Sequence, residues 1–117
     1  MINHNPVVTS IVTFPSQVQV SDSFVVICSA HDIDGDPLTY DWECSNFGAS
    51  VKGAPPNNPY KLTNSRANIM VFYAPDTIHC VITPDTVLCV SHAAIFCDVR
   101  DGRGGLKTVT TDVLITR

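Results

Sequence analysis

The chain has 117 residues, 44% of them hydrophobic and only 15% charged, with a net charge of −4. That length is one domain, and that apolar content excludes a disordered chain. Five acids and no Lys or Arg fall between residues 32 and 43, the opposite of the basic groove that nucleic-acid binding needs. No apolar run approaches the roughly 20 residues of a membrane-crossing helix, so neither nucleic acid nor membrane insertion is expected.

Glu occurs once, while Val and Thr are abundant, a composition that suits pleated, half-buried surfaces. In chain order, strands are predicted over 7–14, 17–20, 23–30, 37–44, 67–73, 92–100 and 106–116. Asn3, His4 and Asn5 follow Met1-Ile2 with no apolar leader segment, so either a secretory leader was removed or the chain is not exported. Residues 45–66 hold Gly48, Gly53, Pro55, Pro56 and Pro59 and read as a long connection with at most one weak edge strand. No internal repeat or linker interrupts the single domain, residues 1–117.

Period-two alternation assigns the inward faces. Phe24, Val26, Cys28 and Ala30 share one side. So do Leu38, Tyr40, Trp42 and Cys44, and so do Ala93, Ile95, Cys97 and Val99. The order Cys28, Trp42, Cys97 matches an immunoglobulin-type core, where an inter-sheet disulfide packs on a Trp. The corner Tyr two residues before the second Cys is replaced by Ile95. The expected fold is therefore all-β: an immunoglobulin-like antiparallel β-sandwich of about seven strands.

Four segments in register carry a more specific likeness. Val25-Val-Ile-Cys-Ser-Ala-His-Asp-Ile-Asp-Gly-Asp-Pro-Leu-Thr-Tyr-Asp-Trp42 resembles the central motif of bacterial PKD-type immunoglobulin-like domains. Asn5-Pro6-Val7 resembles their opening, Phe72-Tyr-Ala-Pro-Asp76 a middle strand, and Cys97-Asp-Val-Arg-Asp-Gly-Arg-Gly-Gly105 their penultimate strand and glycine-rich turn. The resemblance spans most of the chain. It implies an extracellular, non-catalytic module, secreted or on the cell surface, and it does not name a ligand. The departure is Thr77-Ile-His-Cys-Val-Ile-Thr-Pro-Asp-Thr-Val-Leu-Cys-Val-Ser91, inserted after the Ala-Pro segment.

Five cysteines suit an oxidising compartment, and the odd count leaves at least one without a partner in the chain. Cys28 and Cys97, both inward, are the expected core disulfide. A loop that long contributes roughly 4 kcal/mol through chain entropy. The insertion reads as a hairpin that sets Thr83 opposite Thr86, Ile82 opposite Val87, Val81 opposite Leu88 and Cys80 opposite Cys89. A second disulfide, Cys80–Cys89, follows from that register. An L-Pro turn fits a two-residue hairpin loop poorly, so a four-residue loop is expected. Cys44 lands at the same end, which leaves Cys44–Cys80 and Cys44–Cys89 as alternatives, and leaves Cys44 as an unpaired or intermolecular thiol if the hairpin closes on itself.

His79, Cys80, Cys89 and His92 have zinc-like spacing, but the Cys-x-x-Cys knuckle is absent and oxidation would consume both thiols. Asp32, Asp34, Asp36 and Glu43 imitate an EF-hand, yet Pro37 stands where the loop needs Gly, and the flanks read as strands. A nucleophile elbow and a metalloprotease motif are both missing.

The start of the first strand, the 31–37 turn and the 100–105 turn meet at one end of the expected sandwich. Asp32, Asp34 and Asp101 would supply carboxylates there, and Asn5 another oxygen. Some PKD-like domains bind calcium through such positions, so the resemblance implies calcium. Asp36 reads as a spare facing solvent. The competing reading has Arg100 or Arg103 neutralise aspartates that merely cap turns. The expected function is a non-catalytic binding or spacer module that contacts protein or glycan. The alternative is a structural subunit of an extracellular filament or surface layer, built by self-association. A hydrolase is the remote alternative.

Overall fold

The computed structural model describes residues 3–44 and 49–117. Gly48, counted above in the long connection, lies outside them. The described residues form strands and turns and no helix. In order the strands are β1 (Val7–Phe14), β2 (Gln17–Gln19), β3 (Ser23–His31), β4 (Thr39–Cys44), β5 (Ser50–Val51), β6 (Lys61–Ser65), β7 (Ile69–Tyr73), β8 (Val81–Ile82), β9 (Val87–Leu88), β10 (Val90–Arg100) and β11 (Leu106–Thr116).

Two sheets stack as a sandwich. The first runs β1-β3-β7-β5 and the second β2-β11-β10-β4-β6, while β8 and β9 pair only with each other. This is the immunoglobulin arrangement, four strands against the sheet that holds the central Trp. The chain changes sheet at the cis Phe14–Pro15 bond, since β1 pairs with β3 and β2 pairs with β11. The β2–β11 pairing is parallel, and the other pairings among the described strands are antiparallel. Among its described residues, segment 45–66 holds two short strands where at most one weak edge strand is expected. β5 crosses to the first sheet beside β7, and β6 returns to the second beside β4.

The alternation predicted for the core is present. Phe24, Val26 and Cys28 from β3 meet Tyr40, Trp42 and Cys44 from β4 and Ala93, Ile95, Cys97 and Val99 from β10, all buried. Trp42 meets Phe72 edge to face, ring centroids 6.0 Å apart, and Phe72 stacks on Phe24 at 5.6 Å. Aromatic pairs of this kind add about 0.5–1.5 kcal/mol beyond area burial. The Trp42 indole N–H donates to the Ala67 carbonyl at 3.1 Å, so the largest core side chain leaves no polar atom unsatisfied.

The cysteines differ from expectation at one point. Cys80 and Cys89 are joined, as the hairpin register required, whereas Cys28, Cys44 and Cys97 are free thiols. Cys28 and Cys97 are neighbours, both buried as expected, but they are not covalently linked. The contact with Cys28, then burial, pushes the Cys97 thiol up. Cys44 sits near the Tyr60 carbonyl, and burial pushes its thiol up to about 11. The disulfide Cys80–Cys89 removes the Cys44–Cys80 and Cys44–Cys89 alternatives.

Principal extents are 64 × 28 × 18 Å and the radius of gyration is 16.2 Å, against about 13 Å for a compact chain of this length. The molecule is a rod. One pole gathers the acidic turns and the N-terminal segment, and the other the β8–β9 hairpin and Arg117.

Candidate metal centre and binding hairpin

At the acidic pole the 32–35 turn is organised by its own first residue. The Asp32 carbonyl accepts from the Gly35 N–H at 3.1 Å, and Oδ1 of Asp32 accepts from the Asp34 N–H at 2.7 Å. Gly35 has φ 78°, a conformation that side chains rarely adopt. The turn brings Asp32, Asp34 and Asp36 together, with one carboxylate oxygen of each within 4.8 Å of the others. Oδ2 of Asp32 and Oδ2 of Asp36 are buried and accept no hydrogen bond. Asp36, expected to face solvent, is instead mostly covered, its side chain 15% exposed.

His4 approaches from the N-terminal segment. Its backbone N–H donates to Asp34 Oδ2 at 2.8 Å, and its Nδ1 lies 3.1 Å from Oδ1. These contacts hold the Asp34 carboxyl below the usual range. Arg103 places Nη1 3.6 Å from Asp36 Oδ1, while Arg100 turns away to Asp41 and Asp98. Of the two arginines that could neutralise the cluster, Arg103 alone reaches it. One guanidinium against three carboxylates leaves a net negative site, and hard oxygen donors suit calcium.

The remaining expected ligands have other work. Asp101 is buried and accepts from the Arg103 N–H and Gly105 N–H, both at 2.8 Å, and from the Asn3 amide at 2.8 Å. It closes the 101–105 turn, and these donors hold its carboxyl below the usual range. Gly105 is required there, because a Cβ would collide with the Asp101 carboxylate. Asn5 spends its Oδ1 on the Leu106 N–H at 3.4 Å. The structure thus joins Asp32 and Asp34 with Asp36, and places Asp101 and Asn5 as braces between turn and strand.

At the far pole β8 and β9 pair as predicted, Val81 with Leu88 and Ile82 with Val87. The loop is the four residues 83–86. Thr83 N–H donates to the Thr86 carbonyl at 2.8 Å, and Thr86 N–H returns to the Thr83 hydroxyl at 3.0 Å. Cys80–Cys89 closes the base, and Arg117 ties it down through its N–H to the Cys89 carbonyl. The disulfide takes both thiolates out of any zinc set with His79 and His92. Val81 and Leu88 lie on one face, Ile82 and Val87 on the other, and all four are 54–76% exposed. A two-stranded hairpin is marginal in water by itself, so the disulfide is what holds two apolar faces out in solvent.

A third feature escaped the sequence reading. The outward positions of the first sheet are also apolar. Val12, Ile27 and Ile69 form one row across β1, β3 and β7, and Phe14, Val25 and Val71 the next, with Tyr73 beyond. The signal was in the chain. Phe24-Val-Val-Ile-Cys28 and Ile69-Met-Val-Phe-Tyr73 are unbroken apolar runs, the pattern of strands covered on both faces.

No protein-family model matches this chain, and no curated protein is similar to it.

Proposed function

We propose that the chain is a non-catalytic, extracellular binding module of PKD type that contacts a protein through the β8–β9 hairpin. The observation that carries this reading is the hairpin itself: four aliphatic side chains held exposed on both faces of a disulfide-closed loop. Exposed apolar clusters mark interaction sites, and a braced loop loses less entropy on binding. Disulfides persist in oxidising compartments, which supports a place outside the cell. Aliphatic side chains favour an apolar protein surface over a glycan. A photoreactive amino acid at position 82, compared with one at position 43 on the second sheet, tests this in the native cells. Adducts confined to position 82 are expected. Equal labelling at both positions, or none, overturns the reading. Assembly into filaments visible by electron microscopy would favour the structural-subunit alternative.

Asp32, Asp34 and Asp36 support a calcium ion as part of the same proposal, since two of their oxygens are buried without a partner. Calcium at 100 times its dissociation constant is expected to stabilise the fold by about 2.7 kcal/mol. An unchanged melt of metal-free protein across millimolar calcium removes the ion from the proposal.

A further inference from the structure

We infer that the outer face of the β1-β3-β7-β5 sheet is a self-association surface, on which a second copy of the chain packs face to face. The inference is independent of the hairpin and of calcium.

The four strands of this sheet contain no Asp, Glu, Lys or Arg. Their outward positions form a continuous apolar field. Phe14 is 73% exposed, Ile69 51%, Val12 48% and Tyr73 40%. Val25, Ile27 and Val71 lie half-buried among them, and none belongs to the cluster packed on the core. Serines bound the field at both ends: Ser10 and Ser29 beyond one apolar row, Ser23 and Ser50 beside Tyr73 at the other.

Three features of the face select a second copy as the occupant. The first is area. These seven side chains and the flanking serines present on the order of 500 Å², the size of a functional patch on a monomer. Two copies stacked bury on the order of 1,000 Å², the threshold for a specific interface. The second is symmetry. Apolar rows flanked at both ends by small polar residues are self-complementary under a two-fold axis, which lays rows on rows and serine rims on serine rims. Sheets stack in this way about 10 Å apart with strands nearly aligned. The third is charge. A charged partner finds no charged side chain on the four strands of this face. Two copies of net charge −4 repel each other, but the strands of this face carry no Asp, Glu, Lys or Arg, and Asp22 and Lys52 stand just past the ends of β3 and β5, at its rim.

The like net charge of the two copies also gives the interface a signature. Association strengthens with added salt, because salt screens like net charges and leaves apolar contact intact.

Sedimentation velocity on the purified, oxidised chain tests this from about 1 to 200 μM, in low and in high salt. The expected result is a concentration-dependent monomer–dimer equilibrium, tighter in high salt. Phe14→Ser and Ile69→Lys, both at exposed positions, are each expected to weaken dimerisation at least tenfold while the melting temperature of dilute protein stays put. Ile82→Lys in the hairpin is expected to leave dimerisation unchanged. The milder Val12→Thr is expected to weaken it several-fold, and serves if Ile69→Lys fails to fold. A wild-type chain that stays monomeric at 200 μM overturns the inference. So does full dimerisation of the sheet variants, or loss of dimer through Ile82→Lys alone.

Discussion

The two outer faces of the sandwich present opposite chemistry. On the second sheet, Asp41, Glu43, Asp98, Arg100 and Asp112 alternate with the buried core positions of β4, β10 and β11. Arg100 Nε donates to Asp41 at 3.0 Å, and the Thr108 hydroxyl donates to Asp98 at 2.7 Å. That is the solvated side of an antiparallel sheet, polar out and apolar in. On the first sheet the alternation is missing, and Val, Ile, Phe and Tyr stand on the outer side. Folding explains one apolar face of β3 and β7, because it builds the core. It does not explain the second, and a surface of that kind has a use outside the fold.

The comparison is broken most forcefully by truncating side chains on either side of the first sheet. Phe72 is fully buried beneath it, and Phe72→Ala is expected to cost about 3–5 kcal/mol in urea unfolding of dilute protein. Phe14→Ala and Ile69→Ala above it are expected to stay within about 0.5–1 kcal/mol. Losses on the outer face as large as in the core would mean that the chain itself covers that face. The charged face predicts a smaller effect of different character. Arg100→Ala removes the partner of Asp41, whose side chain is 13% exposed, and is expected to cost about 1 kcal/mol or less, shrinking with salt. The Asn64 N–H still reaches Asp41 at 2.9 Å, which limits the loss.

The smallest effect separates both faces from the acidic pole. The Asp101 carboxyl is held low by the Arg103 N–H, the Asn3 amide and the Gly105 N–H. A carboxylate with a depressed folded pKa adds stability that is complete above its unfolded value of about 3.9 and is lost as pH falls through the folded value. Asp101→Asn is therefore expected to melt below wild type near neutral pH. The gap is expected to narrow as pH falls from about 5 to about 3. A gap constant over that range would show that Asp101 acts through shape alone.

The sequence made the sandwich readable wherever one face was buried. Alternation named Phe24, Val26, Tyr40, Trp42, Ile95 and Val99 as core, and the symmetry of Cys80 and Cys89 about Pro84-Asp85 gave the hairpin its register. It failed where a short polar segment is made a strand only by its neighbour. Ser50–Val51 and Lys61–Ser65 carry little β signal, and they pair because β7 and β4 offer open edges. The parallel pairing of β2 was hidden for the same reason. At the acidic pole the spacing of Asp32, Asp34 and Asp36 was visible, but the approach of His4 and Arg103 depends on how distant segments meet. Asp101 looked like a ligand because an exposed carboxylate and one that closes a turn read alike in a string of letters. The continuous apolar runs of β3 and β7 are legible, but period-two alternation assigns only their buried half.

The separation of the chain ends has a mechanical consequence. Asn3 is fastened at the acidic pole through Asp101, and Arg117 at the hairpin pole through Cys89. Tension applied through the two ends therefore runs along the rod. It draws β1 and β11 lengthwise in opposite senses, each sliding against a ladder whose hydrogen bonds lie across the pull. Such a ladder loads its rungs together and does not unzip one at a time. In a tether this geometry holds under load, and at the β1–β3 and β2–β11 pairings the fold would meet force first.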